Sequence, residues 1–350
     1  MKIGIVGLGI VGLSAAARLA ELGHEVHGFE QFDLLHDRGS SHGDTRIFRR
    51  HPFEGEVYVD LAAKAYDGWH RWSAEAGEAL FMETGGIHAA LPESRYVANV
   101  QAFNPHAQMM TAAEANKRWP IFNIPDDHAV VFDPQNGYLR PDATRVFLAD
   151  KAQKVGAQLH FNRSVDLHGD GQLNKEQFDA IIITAGPWLS SLVPEMSSLL
   201  TVERRVMGWF KVEPAVAPEN LIAFRIGEEF YGMPTPSGHV KLGMNKHFSE
   251  IVDLQAVADV DQRDRDYIDQ QSGRCMRNIA THAYQYKRCL YALTPDEDFI
   301  VDRHPDHERV FIISCCSGHG FKYGPAYGDL AADLLDGRII PQFSLNRFKA

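Results

Sequence analysis

The sequence predicts a two-domain α/β protein, α+β overall, in which one domain is a doubly wound parallel sheet and the other a mainly antiparallel sheet. Three observations lead there. A glycine-rich turn joins an apolar strand to an alanine-rich helix at the start of the chain, strand and helix patterns of the same kind recur only after long gaps, and the intervening stretches are richer in aromatic, strand-like segments.

The elements follow in order. Lys2 to Val6 reads as a buried strand, Leu13 to Leu22 as a helix closed by Gly23, and Val26 to Glu30 as the next strand, which together make one βαβ unit. Arg140-Pro141-Asp142 opens a helix that runs to Val155 and stops at Gly156, and Ala157 to Phe161 follows as a strand. Phe178 to Thr184 reads as a mainly apolar strand followed by Ala185-Gly186-Pro187-Trp188. Val310 to Ser314 is another, ahead of a glycine-rich loop and a helix near Ala326 to Leu335. The parallel-sheet domain is therefore expected to be discontinuous, over 1–83, 141–198 and 293–350, with 84–140 and 199–292 inserted as the second domain. Within the insert, Val206 to Val212 and His239 to Met244 read as strands.

Composition narrows the function. A chain of 350 residues is long enough for two cores without disulfides. With 46 acidic against 35 basic residues, a net charge of -11 disfavours nucleic acid and anionic membranes as partners. Cys275, Cys289, Cys315 and Cys316 lack CxxC spacing, and the histidines, including His304 and His307 around a turn, form no HExxH pattern, so no metal site is expected. The run Ile3 to Leu13 could pass for the core of a signal peptide, but its glycines fall in register for a strand, turn and helix, and no small-residue cleavage site follows. No other run approaches membrane-spanning length, and a cytoplasmic location is the expectation.

Gly7, Gly9 and Gly12 form GxGxxG between strand and helix. Glycines there let the backbone turn tightly, approach a pyrophosphate and present helix amides to it, while Glu30 at the end of the second strand suits a ribose. This fingerprint identifies a dinucleotide site without choosing between NAD and FAD. Trp188 is expected to pack beside the adenosine side, in the turn begun by Gly186.

The next segment separates the two cofactors. Gly39 to Arg50, read as Gly-Ser-Ser-His-Gly-Asp-Thr-Arg-Ile-Phe-Arg-Arg, resembles a segment of the monomeric sarcosine oxidase and N-methyltryptophan oxidase family. Three further stretches are similar to that family in the same order. They are Phe230-Tyr231-Gly232-Met233-Pro234 ahead of Lys241-Leu242-Gly243, Lys287 to Tyr291 followed by Thr294 to Ile300, and Ser317 to Lys322. The resemblance spans nearly the whole chain and implies a Rossmann-type FAD-binding domain. It implies covalent attachment of the flavin through Cys289, oxygen activation by Lys241, and a substrate carboxylate held by Arg49 and Lys322. It further implies that Thr45, Arg46, Tyr231, Tyr291, Gly318 and His319 surround the ring, and that Ser40, Ser41, His42 and Gly320 help to hold the cofactor. One departure is Asn245, which stands where the family's sarcosine oxidases have a histidine, and another is Arg50, also a histidine position there.

The chemistry expected of such a site agrees with these residue types. A flavin takes a hydride equivalent from the carbon beside a neutral amine, and a carboxylate on the substrate gives cationic side chains a handle. A lysine near the ring stabilises the negative charge that develops when oxygen takes up electrons. Whether Lys241 faces the interior or solvent depends on strand parity, which the sequence leaves open. The expected activity is oxidation of a small carboxylate-bearing secondary amine, an N-alkyl amino acid that is sarcosine-like or iminodiacid-like, by oxygen with formation of hydrogen peroxide, in a monomer, and the spare positive charge at Arg50 tilts the reading towards a second carboxylate. A dehydrogenase feeding a quinone or protein acceptor, and a flavin-binding accessory protein without turnover, are the alternatives.

Overall fold

The computed structural model describes residues 1–104, 106–244 and 250–349. Its fold is mixed α/β, with a parallel sheet and an antiparallel sheet in separate compact units. The first unit comprises 1–43, 141–203 and 290–350, and the second 44–140 and 204–289. Among the described residues, no helix is long and apolar enough to cross a membrane.

In the first unit a six-stranded sheet runs in the order Ile300–Arg303, Val310–Ser314, Ala180–Ile183, Lys2–Val6, Glu25–Phe29 and Gln158–His160. Neighbours are parallel except at Ile300–Arg303, which is antiparallel to its neighbour. Ile3 to Val6 and Ala180 to Ile183 are buried at every position, so both faces of these inner strands are covered, which is why they read as short apolar runs. The helix Ile10–Glu21 packs against Pro141–Lys154 and Tyr327–Leu335. It starts three residues earlier than the alanine-rich run suggests, because Gly12 already sits in its first turn.

The second unit is built on a larger sheet. Its strands run Thr201–Phe210, Val240–Met244, Phe230–Pro234, Ala223–Ile226, Gly86–Ala90, Ala129–Asp133 and Gln108–Thr111, with Glu250–Ile251 and Gln285–Leu293 also beside Thr201–Phe210. The pairing of Ala223–Ile226 with Gly86–Ala90 is parallel, and the neighbouring registers are antiparallel. Alternation along these strands sorts the residues into two faces. Ile87, Val130, Phe132, Phe210, Phe224, Ile226, Phe230, Val240 and Leu242 all point to one side, where they form an apolar core with Ile268 and Cys275 of the helix Gln262–Cys275. The opposite face carries Trp209, Lys241, Tyr231, Arg225 and His88, each a register neighbour of the next or one step along the same strand pair. The parity that the sequence left open is thus fixed by the register.

The first crossing between units falls at 43 rather than the expected 83. Two causes are visible. Arg46–Phe48 pairs with Gly137–Leu139, which also pairs with Phe81–Met82, so 44–83 is bound to the second unit by a small sheet. The helix Val57–Ala76, buried through Tyr58, Leu61, Ala62, Ala65, Trp69 and Trp72, lies in the same segment. The later crossings, at 203 and 289, differ from the expected 198 and 292 by a few residues.

Candidate active site

In the first unit the glycine turn is shaped for close approach. Gly7 has φ 95°, in the left-handed region. A Cβ on Gly12 would lie 1.9 Å from the Gly7 carbonyl oxygen, so only glycine lets helix and strand meet here. Gly9 caps the helix without a side-chain bond of its own, and the Ile10 amide donates instead to Ser41 Oγ at 3.1 Å. Glu30 is buried at the end of Glu25–Phe29 and accepts from the amides of Leu8 and Phe32 at 2.9 and 3.1 Å, one per oxygen. Each carboxylate oxygen keeps a further lone pair for a hydroxyl. Gly186 has φ 52°, and Trp188 meets Phe32 edge to face with ring centres 5.5 Å apart. A strand-end carboxylate, a helix N-terminus and a turn closed to any side chain are the parts that an FAD adenosine diphosphate requires, so these residues fit the group.

The carboxyl-terminal loop of the same unit is equally constrained. Gly318 has φ 74°, and a Cβ there would lie 2.5 Å from the Tyr291 ring. A Cβ on Gly320 would lie 1.7 Å from the Cys315 carbonyl oxygen. His319 stacks on Phe299 at 4.9 Å and lies 3.1 Å from the Glu297 carbonyl oxygen. Lys322 is buried, and its Nζ donates to the His319 carbonyl at 3.0 Å. Ser40 Oγ donates to the Leu290 carbonyl at 2.6 Å, and His42 is buried.

In the second unit the sheet face that carries Trp209 and Lys241 meets the segment 44–50 at Asp44 and Thr45. Lys241 is 1% exposed, and its Nζ donates to the Thr45 carbonyl at 2.9 Å, 4.9 Å from the centre of the Trp209 ring. Arg46 donates to the same carbonyl at 3.0 Å, and its other terminal nitrogen lies 3.6 Å from Cys289 Sγ. One carbonyl therefore gathers two cations beside a thiol, with Asp44 3.9 Å from Lys241. Tyr231 stands two positions from Met233, which is opposite Lys241, and owes its room to Gly243, where a Cβ would lie 2.5 Å from the tyrosine ring.

Arg49 is paired with Glu54 at 2.6 Å and lies over Phe53 at 4.4 Å. Arg50 stacks over Tyr66 at 5.8 Å instead. Asn245 lies outside the described residues. Sequence reasoning missed Arg225, His88, Glu54, Trp209 and Asp44 as members of this neighbourhood. Burial pushes the His88 imidazole well below its usual range, and the Arg225 and Arg49 charges push the same way against Glu54. Burial, then repulsion from Arg49, brings Arg225 down to about 10, which leaves it charged near neutral pH. The available signal for Arg225 was a lone charge inside the apolar strand Ala223–Ile226.

The family model of FAD dependent oxidoreductases matches residues 2–334. The chain belongs to this family. It is 30% identical to the N-methyl-L-tryptophan oxidase of Yersinia pestis, over 99% of this chain and 98% of that one, and equally to the enzyme of Yersinia pseudotuberculosis. Among solved structures, L-proline dehydrogenase from P. horikoshii superposes with a TM-score of 0.83 at 19% identity, covering 99% and 97% of the two chains. Glycine oxidase from Geobacillus kaustophilus gives 0.81 at 19% identity, covering 99% and 98%. NikD, an unusual amino acid oxidase essential for nikkomycin biosynthesis, gives 0.81 at 18% identity, covering 95% and 93%. The protein is thus an FAD-dependent oxidoreductase with the fold of the amino acid oxidases.

Proposed function

We propose that this FAD-dependent oxidoreductase oxidises a small N-alkyl amino acid at the CH–NH bond with molecular oxygen as acceptor. Two electrons and two protons leave the substrate as the C–N bond becomes C=N. Water then hydrolyses the imine to an amine and an aldehyde or oxoacid, and oxygen becomes hydrogen peroxide. Bound FAD supplies the two-electron relay between amine and oxygen. The observation that carries the proposal is the buried Lys241 ammonium beside Arg46 and Cys289, because a fixed cation is what a developing superoxide needs and a solvated surface lysine would not be enclosed in this way. The N-methyl-L-tryptophan oxidases at 30% identity support a secondary amine that bears a carboxylate.

In this reading Arg49 and Lys322 each offer positive charge to the substrate carboxylate, Arg as a planar fork and Lys as a point charge. For Arg49 that requires exchange of Glu54 for the substrate. Tyr231, Tyr291 and His319 shape the space around the reacting carbon, and Asn245 contributes an uncharged amide. Cys289 would hold the flavin through a thioether, and its Sγ lies 3.6 Å from a terminal nitrogen of Arg46.

The test is a peroxide-coupled screen of secondary amines with the purified yellow protein under air. Peroxide formed in step with N-alkyl amino acids is expected, and acid precipitation of the same preparation should leave the yellow colour in the pellet. Turnover only with a quinone or dye acceptor would instead establish a dehydrogenase, and no turnover with any acceptor would sink the catalytic reading. Colour released to the supernatant would refute attachment through Cys289 alone.

A further inference from the structure

The proposed oxidation uses Lys241 from the functional face of the sheet and Arg49 from the segment before it. A third cation shares that face. Arg225 lies opposite Tyr231 on one neighbouring strand and opposite His88 on the other, so all three side chains emerge on the Lys241 side. Its guanidinium carbon is 4.4 Å from the centre of the Tyr96 ring and 5.0 Å from that of Phe53, the ring that Arg49 also covers at 4.4 Å. Two guanidinium groups therefore lie against one phenyl ring.

The charges there do not balance. Among the described residues, Glu54 is the largely buried carboxylate that acts on both guanidinium groups, and its ion pair is with Arg49. Arg225 donates to the Glu228 carbonyl at 3.0 Å, but the Glu228 side chain is exposed and exerts the weaker pull. His88 is neutral and adds no charge. Arg225 and His88 are more than nine-tenths buried, and Arg225 Nε, His88 Nε2 and Arg49 Nε have no hydrogen-bond partner among the described residues. Buried guanidinium donors beside an unbalanced charge are costly unless an anion completes them. Phe53 and Tyr96 keep water from the guanidinium faces, which strengthens any ion pair formed there.

We propose that Arg225 is a specificity-determining residue that receives a second carboxylate of the substrate, so that the preferred secondary amine is an N-alkylated acidic amino acid or an iminodiacid. This rests on the amine-oxidation reading above. It assigns to Arg225 the second negative charge, and leaves Arg49 for the first.

The test compares N-methylaspartate with N-methylalanine as substrates, and succinate with butyrate as unreactive ligands read by the flavin absorbance of the holoenzyme. The unaltered enzyme should prefer N-methylaspartate and bind succinate more tightly. Arg225→Met should cut the ratio of kcat/KM for the two substrates, and the ratio of the two ligand affinities, by at least about tenfold, as expected for one side of a desolvated charge pair. Arg225→Lys, which keeps the charge, should restore part of both ratios. Equal losses for both members of each pair, or succinate no tighter than butyrate in the unaltered enzyme, would overturn the proposal. If no secondary amine is oxidised while succinate still binds through Arg225, the oxidation reading fails and the anion site stands.

Discussion

At the scale of single residues, the role proposed for Lys241 separates the two half-reactions of the proposed oxidase. Reduction by the amine needs substrate orientation, whereas reoxidation needs a positive charge where oxygen takes up an electron. Lys241→Met keeps most of the side-chain volume and deletes the ammonium that now rests on the Thr45 carbonyl. Reoxidation of the reduced variant by oxygenated buffer is expected to fall by about 10² to 10³, the usual loss for one preorganised electrostatic contact. Anaerobic reduction by substrate should change much less. Rapid mixing measures both, and reoxidation at the parent rate would return Lys241 to a structural role. The residue types at these positions were legible from four short motifs, but their surroundings were not. Nothing in the spacing of Thr45, Arg46 and Lys241 says that one carbonyl serves two cations, because that depends on chain segments almost two hundred residues apart meeting in one fold.

At the scale of elements, two glycines on neighbouring strands behave differently because they face opposite sides of one sheet. A Cβ on Gly243 would enter the Tyr231 ring at 2.5 Å, on the functional face, while one on Gly232 would meet Phe224 at 2.4 Å, in the core. Overpacking of either kind typically costs about 1 to 3 kcal/mol. Both Gly243→Ala and Gly232→Ala should therefore lower the midpoint of thermal unfolding. Gly243→Ala should lower kcat/KM per intact flavoprotein more than Gly232→Ala does, since it alone drives a side chain into Tyr231. Equal kinetic losses at equal stability would show that the Tyr231 position does not matter. The central strands of the parallel sheet were legible because they are buried on both faces, and Val310–Ser314 was read to the residue. The helix Val57–Ala76 is not among the expected elements, although Tyr58, Leu61, Ala65, Trp69 and Trp72 recur at helical spacing. Arg225 was missed for a different reason. Its meaning depends on register with Tyr231 and His88, which no single strand contains.

At the scale of the whole molecule, acid should weaken the fold well before its carboxylates titrate. His24, His36, His88, His160 and His304 all have their protonated form disfavoured, burial being the leading cause at each. Their folded pKa values are depressed, so as pH falls through the ordinary value of about 6.5 the unfolded chain binds protons that the folded chain refuses. Stability is present above that value and is lost below it, down to the depressed folded values. Urea midpoints of the holoenzyme at about pH 7.5 and 5.5 should show the lower value in acid, and an unchanged or rising midpoint would mean that these imidazoles are not held neutral. The second unit is made of two separate excursions of the chain, 44–140 and 204–289, and they join where Gly86–Ala90 lies parallel to Ala223–Ile226. His88 belongs to one excursion and Arg225 to the other, directly across that seam. With Arg225 in its proposed role, substrate preference is a property that no single stretch of sequence owns. Arg49 also belongs to the first excursion, so recombination that exchanges one excursion between two relatives would separate the two proposed carboxylate partners, and a new preference would have to be transplanted, or evolve, in both excursions together.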